Sequence, residues 1–294
     1  MTLHAVTQPV ILLGMHRSGT AMIARLLDEL GLFQGSELQE DHESTWFLGI
    51  NDLLLERVNA AWDNPSPIRG FLQNPAAFDL TARCLETDFS SKLTRDFLGR
   101  RRAMKFKSLL CYDKPWGWKD PRTIFTLPLW LRLFPGAKLL YIVRNGVDVA
   151  KSLQTRELRE LDRRIAEFAG KKPAGNRSKL QRAGFKGSAR CLTVEGGFSL
   201  WEEYVAEAER ALTQTANPRL VIRYEDFLAD PASHLPRLAQ FCGIESSADV
   251  VTQAVAKIKV DPARANAFTA DPVLARFHAR VRASRWMSHY GYGG

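Results

Sequence analysis

The chain contains only four cysteines among its 294 residues, and they lie far apart. Cys84, Cys111, Cys191 and Cys242 form no Cys-x-x-Cys pair, and no histidine is clustered near them. A disulfide framework needs regularly spaced cysteines, and a structural zinc site needs closely spaced cysteine or histidine ligands. This absence argues against both and predicts four buried thiols in a reducing compartment, with no bound metal.

Long hydrophobic runs are also missing. No stretch approaches the roughly 20 apolar residues that a membrane-spanning helix needs. The apolar run near the N-terminus is short, and no basic segment precedes it as in a secretory signal. We therefore expect a cytoplasmic protein without a membrane span. Hydrophobic residues still make up 45% of the sequence, which is enough for the core of one large domain over residues 1–294.

Acidic residues are fewer than basic ones. The sequence has 41 Lys and Arg residues but only 32 Asp and Glu residues, which gives a net charge of +9. This balance favours anionic partners. The basic residues concentrate over residues 95–107 and 156–190, without the aromatic pattern or motifs of nucleic-acid-binding proteins. A phosphorylated small molecule or an acidic acceptor explains the excess equally well. The 156–190 segment, with a predicted mobile loop at 170–190, could be a lid, a docking face or a solvated surface.

Strand-like apolar runs alternate with helical patterns along the chain, which is typical of βαβ units around a parallel sheet. The clearest strands are residues 10–13, 138–143 and 220–223. Helices are predicted over residues 18–30, 46–61, 79–98, 123–134, 146–153, 198–213 and 231–242. We therefore expect a single α/β domain in which helices flank a central parallel sheet.

The first strand leads into a glycine-bounded loop and then a helix, in the sequence VILLGMHRSGTAMIARLLDELG at residues 10–31. This order builds an anion site, because backbone N–H groups converge there and the helix dipole favours negative charge. Gly14 and Gly19 have the interval of a P-loop. Thr20 and Ala21 stand where that motif has the lysine for the γ-phosphate and the hydroxyl for magnesium. The loop suits a phosphate but is poorly equipped for ATP chemistry.

A second candidate phosphate site follows the strand at residues 138–143. Arg144 lies at the strand end, and Ser152 lies about two helical turns further along. A guanidinium can bind phosphate oxygens through two parallel hydrogen bonds, and a serine hydroxyl can add a third. In the alternative interpretation, Arg144 pairs with Asp148 at the surface. A ligand with two separated phosphates would use both this site and the glycine-bounded loop.

GMHRSGTA (residues 14–21) and YIVRNGVDVAKSL (residues 141–153) together resemble the two signatures of sulfotransferases that use 3′-phosphoadenosine 5′-phosphosulfate (PAPS). The resemblance continues in WGWKDPRTIF (residues 116–125) and RLVIRYEDFLADP (residues 219–231), and runs in order from about residue 9 to 243. Its weak parts, at about 33–115 and 155–196, are the expected acceptor-side insertions. The resemblance as a whole implies one sulfotransferase domain with P-loop nucleotide-kinase-like topology.

The resemblance also assigns roles to binding residues. It implies that the loop holds the 5′-phosphosulfate and that Arg144 and Ser152 hold the 3′-phosphate. Tyr224 would touch the nucleotide or support the loop. The expected cradle for the 5′ end consists of His16, Arg17, Ser18, Gly19, Thr20 and Ala21.

The missing lysine and magnesium ligand have a chemical meaning in such an enzyme. A sulfuryl group carries one negative charge fewer than a phosphoryl group, so cationic side chains and backbone N–H groups can suffice without a metal. Arg17 could hold the sulfuryl oxygens, and Lys119 could bind the bridging oxygen as it leaves. The alternative for Lys119 is an ordinary surface position.

In-line attack by an acceptor hydroxyl also needs a general base. The resemblance implies a Glu or His shortly after the first helix. Glu43 is the first candidate because it immediately precedes the next helical run. His42 is the second, because its ordinary pKa of about 6.5 suits the task. A solvated or helix-capping role is the alternative for both residues.

These observations predict an enzyme that moves a sulfuryl group from PAPS to an acceptor hydroxyl and leaves 3′-phosphoadenosine 5′-phosphate (PAP). The expected acceptor is a carbohydrate or another small molecule, which could itself be acidic. A P-loop kinase that uses ATP and magnesium is the enzymatic alternative, and Thr20 in the lysine position counts against it. A basic nucleic-acid-binding protein ranks third because it gives the loop no role.

Overall fold

The computed structural model describes residues 7–89, 94–106, 108–169, 185, 187–257 and 264–294. They form two compact units. The first takes the described residues up to 144 and those from 204 to 265, and the second takes those from 145 to 203 and from 266 to 294. The expectation of one domain over residues 1–294 stays a prediction.

The first unit contains four strands, β1 (Val10–Leu13), β2 (Gly117–Lys119), β3 (Lys138–Val143) and β4 (Arg219–Arg223). They form one parallel sheet in the order β2–β1–β3–β4. β1, β2 and most of β3 are buried, as in parallel sheets that are covered on both faces. This confirms the expected α/β class with a central parallel sheet flanked by helices. The sequence patterns missed β2, which has only three residues.

The helices are numbered in chain order through both units. They are α1 (Thr20–Glu29), α2 (Thr45–Glu56), α3 (Ile68–Leu72), α4 (Pro75–Phe89), α5 (Thr94–Lys105), α6 (Thr123–Leu133), α7 (Gly146–Ala169), α8 (Val194–Thr213), α9 (Tyr224–Ala229), α10 (Pro231–Cys242), α11 (Ala248–Lys257), α12 (Pro272–Val281) and α13 (Arg285–His289). None of these described helices is long and apolar enough to cross a membrane.

Two different hydrophobic layers cover the sheet of the first unit. One is largely aliphatic and joins alternate strand residues such as Leu12 and Ile142 to α1, α9, α10 and α11. The other is aromatic, and in it Phe47 stacks on Trp118 with ring centroids 3.9 Å apart and planes 3° apart. The ring centroid of Trp130, in α6, lies 5.2 Å from that of Phe47. The aromatic layer therefore fixes α2 and α6 against β2.

The second unit is built on α7. Phe198 of α8 lies 5.6 Å from Phe277 of α12, measured between ring centroids. The Asp148 carboxylate accepts the N–H groups of Ala267 (3.2 Å) and Phe268 (3.0 Å). His278 stacks on Phe268 at 4.2 Å. These contacts hold the C-terminal segment against α7.

Several predicted elements differ from the structure. The helix predicted over 79–98 is described as two helices, α4 and α5, and α5 is kinked at Gly99, where φ is 71°. The helix predicted over 146–153 continues to Ala169, and its later turns carry ion pairs among Glu160, Arg163, Arg164 and Glu167. Most of the loop predicted at 170–190 lies outside the described residues.

The prediction of four buried thiols is half wrong. Cys191 and Cys242 are buried, but Cys84 and Cys111 are exposed, and none of the four forms a disulfide. Cys84 lies on the outer face of α4, and spacing in the sequence carries no information about which face a lone cysteine occupies. Burial raises the pKa of the Cys242 thiol to about 12.

Candidate active site

The loop between β1 and α1 has the backbone conformation of an anion cradle. Arg17 and Gly19 adopt positive φ angles of 68° and 90°. The Ser18 N–H and hydroxyl both donate to the Met15 carbonyl oxygen, at 3.2 and 2.6 Å. α1 then begins at Thr20, and the first N–H groups of a helix have no acceptor within it. These groups and the helix dipole favour an anion at the loop.

The two loop glycines are required by close packing. A Cβ on Gly14 would lie 2.6 Å from the carbonyl oxygen of Ile142 on β3. A Cβ on Gly19 would overlap the buried ring of Tyr224. The Tyr224 ring therefore packs against the loop at Gly19, and its two predicted roles stay predictions.

Arg144 is fixed beside the same loop. Its guanidinium donates to the carbonyl oxygens of Arg17 at 3.1 Å and Arg264 at 2.6 Å. It also lies 4.8 Å from the centre of the Tyr224 ring. Ser152 lies on α7 in the second unit. The prediction that Arg144 and Ser152 hold one phosphate therefore continues to rest on their spacing in the sequence.

The strand order brings three of the predicted site elements to one edge of the sheet. Lys119 ends β2 and is in register with Leu12 of β1, and Leu13 of β1 is in register with Tyr141 of β3. Parallel strands have their carboxyl ends on the same edge. Lys119, the loop after Leu13 and Arg144 after β3 therefore lie along neighbouring strand ends.

Lys119 and Glu43 form a buried ion pair. The Lys119 Nζ lies 2.9 Å from the Glu43 Oε1, and the residues are 3% and 7% exposed. The surface alternative for Lys119 is therefore wrong. Burial raises the pKa of Glu43, while the Lys119 charge opposes that rise. A carboxylate with a raised pKa is a better proton acceptor near neutral pH.

Arg122 connects the ion pair to two further carboxylates. Its guanidinium lies 3.0 Å from Asp120 and 2.6 Å from Asp52, and its Nη1 lies 3.6 Å from Glu43. These charges raise the pKa of Arg122, and burial raises the pKa of Asp120. The site therefore has a permanently charged guanidinium in contact with the proposed base.

Asn51 holds this network to the core. Its Nδ2 donates to Asp120 at 2.8 Å and to Thr123 at 3.0 Å. Its Oδ1 accepts from the Thr126 hydroxyl at 2.7 Å and from the Trp130 indole N–H at 3.0 Å. Sequence reasoning missed Asn51, Asp120 and Arg122, although the last two stand beside Lys119 in the Lys-Asp-Pro-Arg segment.

The second candidate base faces a different partner. His42 has a positive φ of 61°, and its Nε2 lies 3.4 Å from Asp28 on α1. Its neighbour Glu43 contacts Lys119. The two candidate bases, His42 and Glu43, therefore contact different residues although they are adjacent in the chain.

Three further cradle residues have distinct surroundings. The His16 ring lies 5.0 Å from the Trp62 ring and 6.1 Å from the Tyr204 ring. The side chain of Arg17 is exposed, whereas Ala21 is half-buried at the start of α1. Arg17 therefore offers a cation at the surface of the loop.

Comparison with known proteins gives one family and several solved structures. The model of the family described as "Sulfotransferase family" matches residues 9–248. A sulfotransferase from Alicyclobacillus acidocaldarius has 17% identity and a TM-score of 0.47, over 95% of this chain and 96% of that one. A sulfotransferase from Mycobacterium avium has 15% identity and a TM-score of 0.46, over 93% and 76%. A sulfotransferase domain from the curacin biosynthetic pathway has 12% identity and a TM-score of 0.45, over 94% and 98%. No curated protein sequence matches.

Proposed function

The chain belongs to the sulfotransferase family, and we propose that it transfers a sulfuryl group from PAPS to an acceptor hydroxyl without a metal. One observation carries the proposal beyond the family. The buried Lys119–Glu43 pair lies at the same sheet edge as the loop that follows β1. In the proposed reaction Glu43 is the base and Lys119 is the cation for the leaving oxygen.

Donor recognition is assigned to two places. The backbone N–H groups of residues 16–21 and the hydroxyls of Ser18 and Thr20 bind the 5′ end of the donor. Arg144 and Ser152 bind its 3′-phosphate, which ATP lacks. A guanidinium held beside the loop suits this task because it can donate two parallel hydrogen bonds to phosphate oxygens.

Three side chains and the N–H groups of the loop have separate roles in the proposed transfer. Glu43 takes the proton of the acceptor hydroxyl as the bond from its oxygen to sulfur forms. The bond from sulfur to the bridging oxygen breaks, and Lys119 stabilises the negative charge left on that oxygen, which departs with PAP. Arg17 and the loop N–H groups stabilise the sulfuryl oxygens. Fixed donors of this kind supply a large part of the rate enhancement in many enzymes.

The loop sequence supports a reaction without magnesium. The positions of the phosphate-binding lysine and the metal-binding hydroxyl are occupied by Thr20 and Ala21. Lys119 of β2 supplies a cation in place of the missing loop lysine. The proposed acceptor is a small molecule, of which a carbohydrate is one option.

Transfer of radiolabelled sulfate from PAPS to a panel of acceptors, in the presence of EDTA, tests the proposal. We expect transfer by the unmodified protein and a loss of at least about a hundredfold with Lys119→Gln. Lys114→Gln serves as the matched control, because Lys114 is an exposed lysine five residues before Lys119 in the chain. Phosphate transfer from ATP that requires magnesium, without any sulfate transfer, would establish the kinase alternative.

A further inference from the structure

Arg122 is held beside the proposed base by two other carboxylates. Its Nη1 donates to Asp120 Oδ1 at 3.0 Å, its backbone N–H donates to the same oxygen at 3.1 Å, and its Nε lies 2.6 Å from Asp52 Oδ1. Asp120 is fully buried and accepts a hydrogen bond from Asn51. These contacts fix the guanidinium independently of Glu43.

The two oxygens of Glu43 face different cations. Oε1 lies 2.9 Å from Lys119 Nζ, and Oε2 lies 3.6 Å from Arg122 Nη1. The first distance is that of a hydrogen bond, and the second is too long for one. Arg122 therefore stabilises the charge of the carboxylate without occupying a lone pair of Oε2, and that oxygen can accept a proton.

The proposed transfer gives Lys119 a second partner, the bridging oxygen that leaves with PAP. An ammonium group that turns toward this oxygen stabilises Glu43 less, in the same step in which Glu43 must be ionised to take a proton. Glu43 is 7% exposed, and a buried carboxyl without a nearby cation favours its protonated form, which is not a base. Among the described residues, the cations that contact Glu43 are Lys119 and Arg122. Arg122 is therefore the cation that stays beside the base during the transfer.

The charges around Glu43 show what the loss of Arg122 would do. Lys119 ends β2, Asp120 and Arg122 follow it, and Asp52 belongs to α2. Burial raises the pKa of Glu43 and the Asp120 charge adds to the rise, whereas Lys119 and Arg122 oppose it. Without Arg122, three carboxylates would share the single charge of Lys119.

We propose that Arg122 is a positioning residue of the reaction, which keeps Glu43 ionised while Lys119 stabilises the leaving oxygen. Asp52 and Asp120 hold the guanidinium in place for this task. The inference rests on the proposed sulfuryl transfer, in which the proton of the acceptor hydroxyl goes to Glu43 Oε2. Arg122 itself forms and breaks no covalent bond in that step.

Neutral variants at the two ends of the Arg122–Asp52 contact test the proposal, because they should have opposite effects. Arg122→Gln removes a cation near Glu43, so the acidic limb of the kcat/KM profile should move to higher pH by about one unit. Asp52→Asn removes a carboxylate, so the limb should move to lower pH. A merely structural role would lower activity at every pH and move neither limb.

Three further measurements complete this experiment. The kcat of Arg122→Gln at neutral pH should fall about tenfold, while its affinity for PAP should stay unchanged. Arg122→Lys retains the cation and should return the acidic limb toward its original position. Arg132→Gln serves as the matched control, because Arg132 is a half-exposed arginine of the same helix, α6, and pairs with Glu86.

Carbon-13 NMR of the Glu43 carboxyl distinguishes this proposal from the transfer itself. The protein is labelled at the side-chain carboxyl carbon of glutamate, and the Glu43 signal is the one that Glu43→Gln removes. Its pKa, measured without substrates, should rise in Arg122→Gln and fall in Asp52→Asn. These shifts would support the role of Arg122 even if no sulfate is transferred, a result that would contradict the transfer alone.

Two results would overturn the role of Arg122. One is a Glu43 pKa that stays unchanged or falls in Arg122→Gln. The other is a Glu43 pKa that stays unchanged or rises in Asp52→Asn. The second variant changes a side chain that is 41% exposed, so it tests the proposal even if Arg122→Gln does not fold. In that case a fall of the Glu43 pKa in Asp52→Asn would show that the charges of the Arg122–Asp52 contact act on Glu43.

Discussion

Lys119 Nζ lies 2.9 Å from Glu43 Oε1, and both residues are buried at the carboxyl edge of the sheet. Removing two charges from water costs several kcal/mol per ion, so such a pair adds little net stability. The pair is held in place by packing, because Phe47 of α2 stacks on Trp118 of β2. A fixed, buried acid and base beside an anion cradle favours a chemical role over a structural one.

Substitutions of Glu43 and His42 should show which of the two residues is the general base. We expect Glu43→Gln to lower kcat by a factor of about 10²–10⁴, because the glutamine amide cannot take the acceptor proton. PAP affinity, measured by calorimetry, should change little. His42→Asn should retain most of the activity, because the His42 ring lies near Asp28. The reverse order of the two losses would assign the base to His42.

The pH dependence of the reaction should report the Glu43–Lys119 contact. Burial raises the pKa of Glu43 above its ordinary value of 4.5, and Lys119 limits the rise. The activity of the unmodified enzyme should therefore fall as the pH drops through that raised pKa. Lys119→Gln removes the limiting charge, so the acidic limb of the residual kcat/KM profile should move to higher pH. A limb that stays in place or moves to lower pH would argue against Glu43 as the titrating group.

The network behind the ion pair should be needed for stability. Asp120 is fully buried and accepts from Arg122 and Asn51. Asp120→Asn leaves the Arg122 cation with one carboxylate fewer, and we expect the free energy of unfolding to fall by about 3 kcal/mol in urea titrations. Asp79→Asn on the surface should change it by less than about 0.5 kcal/mol. Equal effects of the two variants would show that the network is dispensable.

Gly19 and Gly31 provide a matched test of the loop packing. Both have positive φ angles, 90° and 110°, but a Cβ on Gly31 meets no atom within 4 Å, whereas one on Gly19 overlaps the Tyr224 ring. Gly31→Ala should therefore cost about 1 kcal/mol of stability through backbone strain alone. Gly19→Ala should cost more and should also weaken PAP binding. Similar stability losses with unchanged PAP affinity would mean that Tyr224 does not shape the loop.

The local parts of the fold and site could be predicted from sequence. The strand, loop and helix around Gly14 and Gly19 are contiguous, and their glycines and apolar pattern reflect local backbone geometry. Arg144 was predictable for the same reason, since it directly follows a long apolar strand. The three residues of β2 carry too short a pattern to be recognised, although the Lys-Asp-Pro-Arg segment drew attention to Lys119.

The tertiary parts of the site could not be predicted in this way. Glu43 and Lys119 are 76 residues apart in sequence, and no local pattern records that they form an ion pair. Asn51 stands within an amphipathic helix, and its bonds to Asp120 and Trp130 depend on how α2 packs against α6. The exposure of Cys84 likewise depends on which helix face the core leaves uncovered.

We propose that the loop and Arg144 bind a nucleotide with a 3′-phosphate for a metal-free reaction. The decisive measurement is a calorimetric titration without magnesium, with PAP, ADP and ATP as ligands. We predict that PAP binds at least about tenfold more tightly than ADP or ATP, and that Arg144→Ala removes this preference. ATP binding equal to or tighter than that of PAP, or a PAP preference that survives Arg144→Ala, would show that Arg144 does not select a 3′-phosphate.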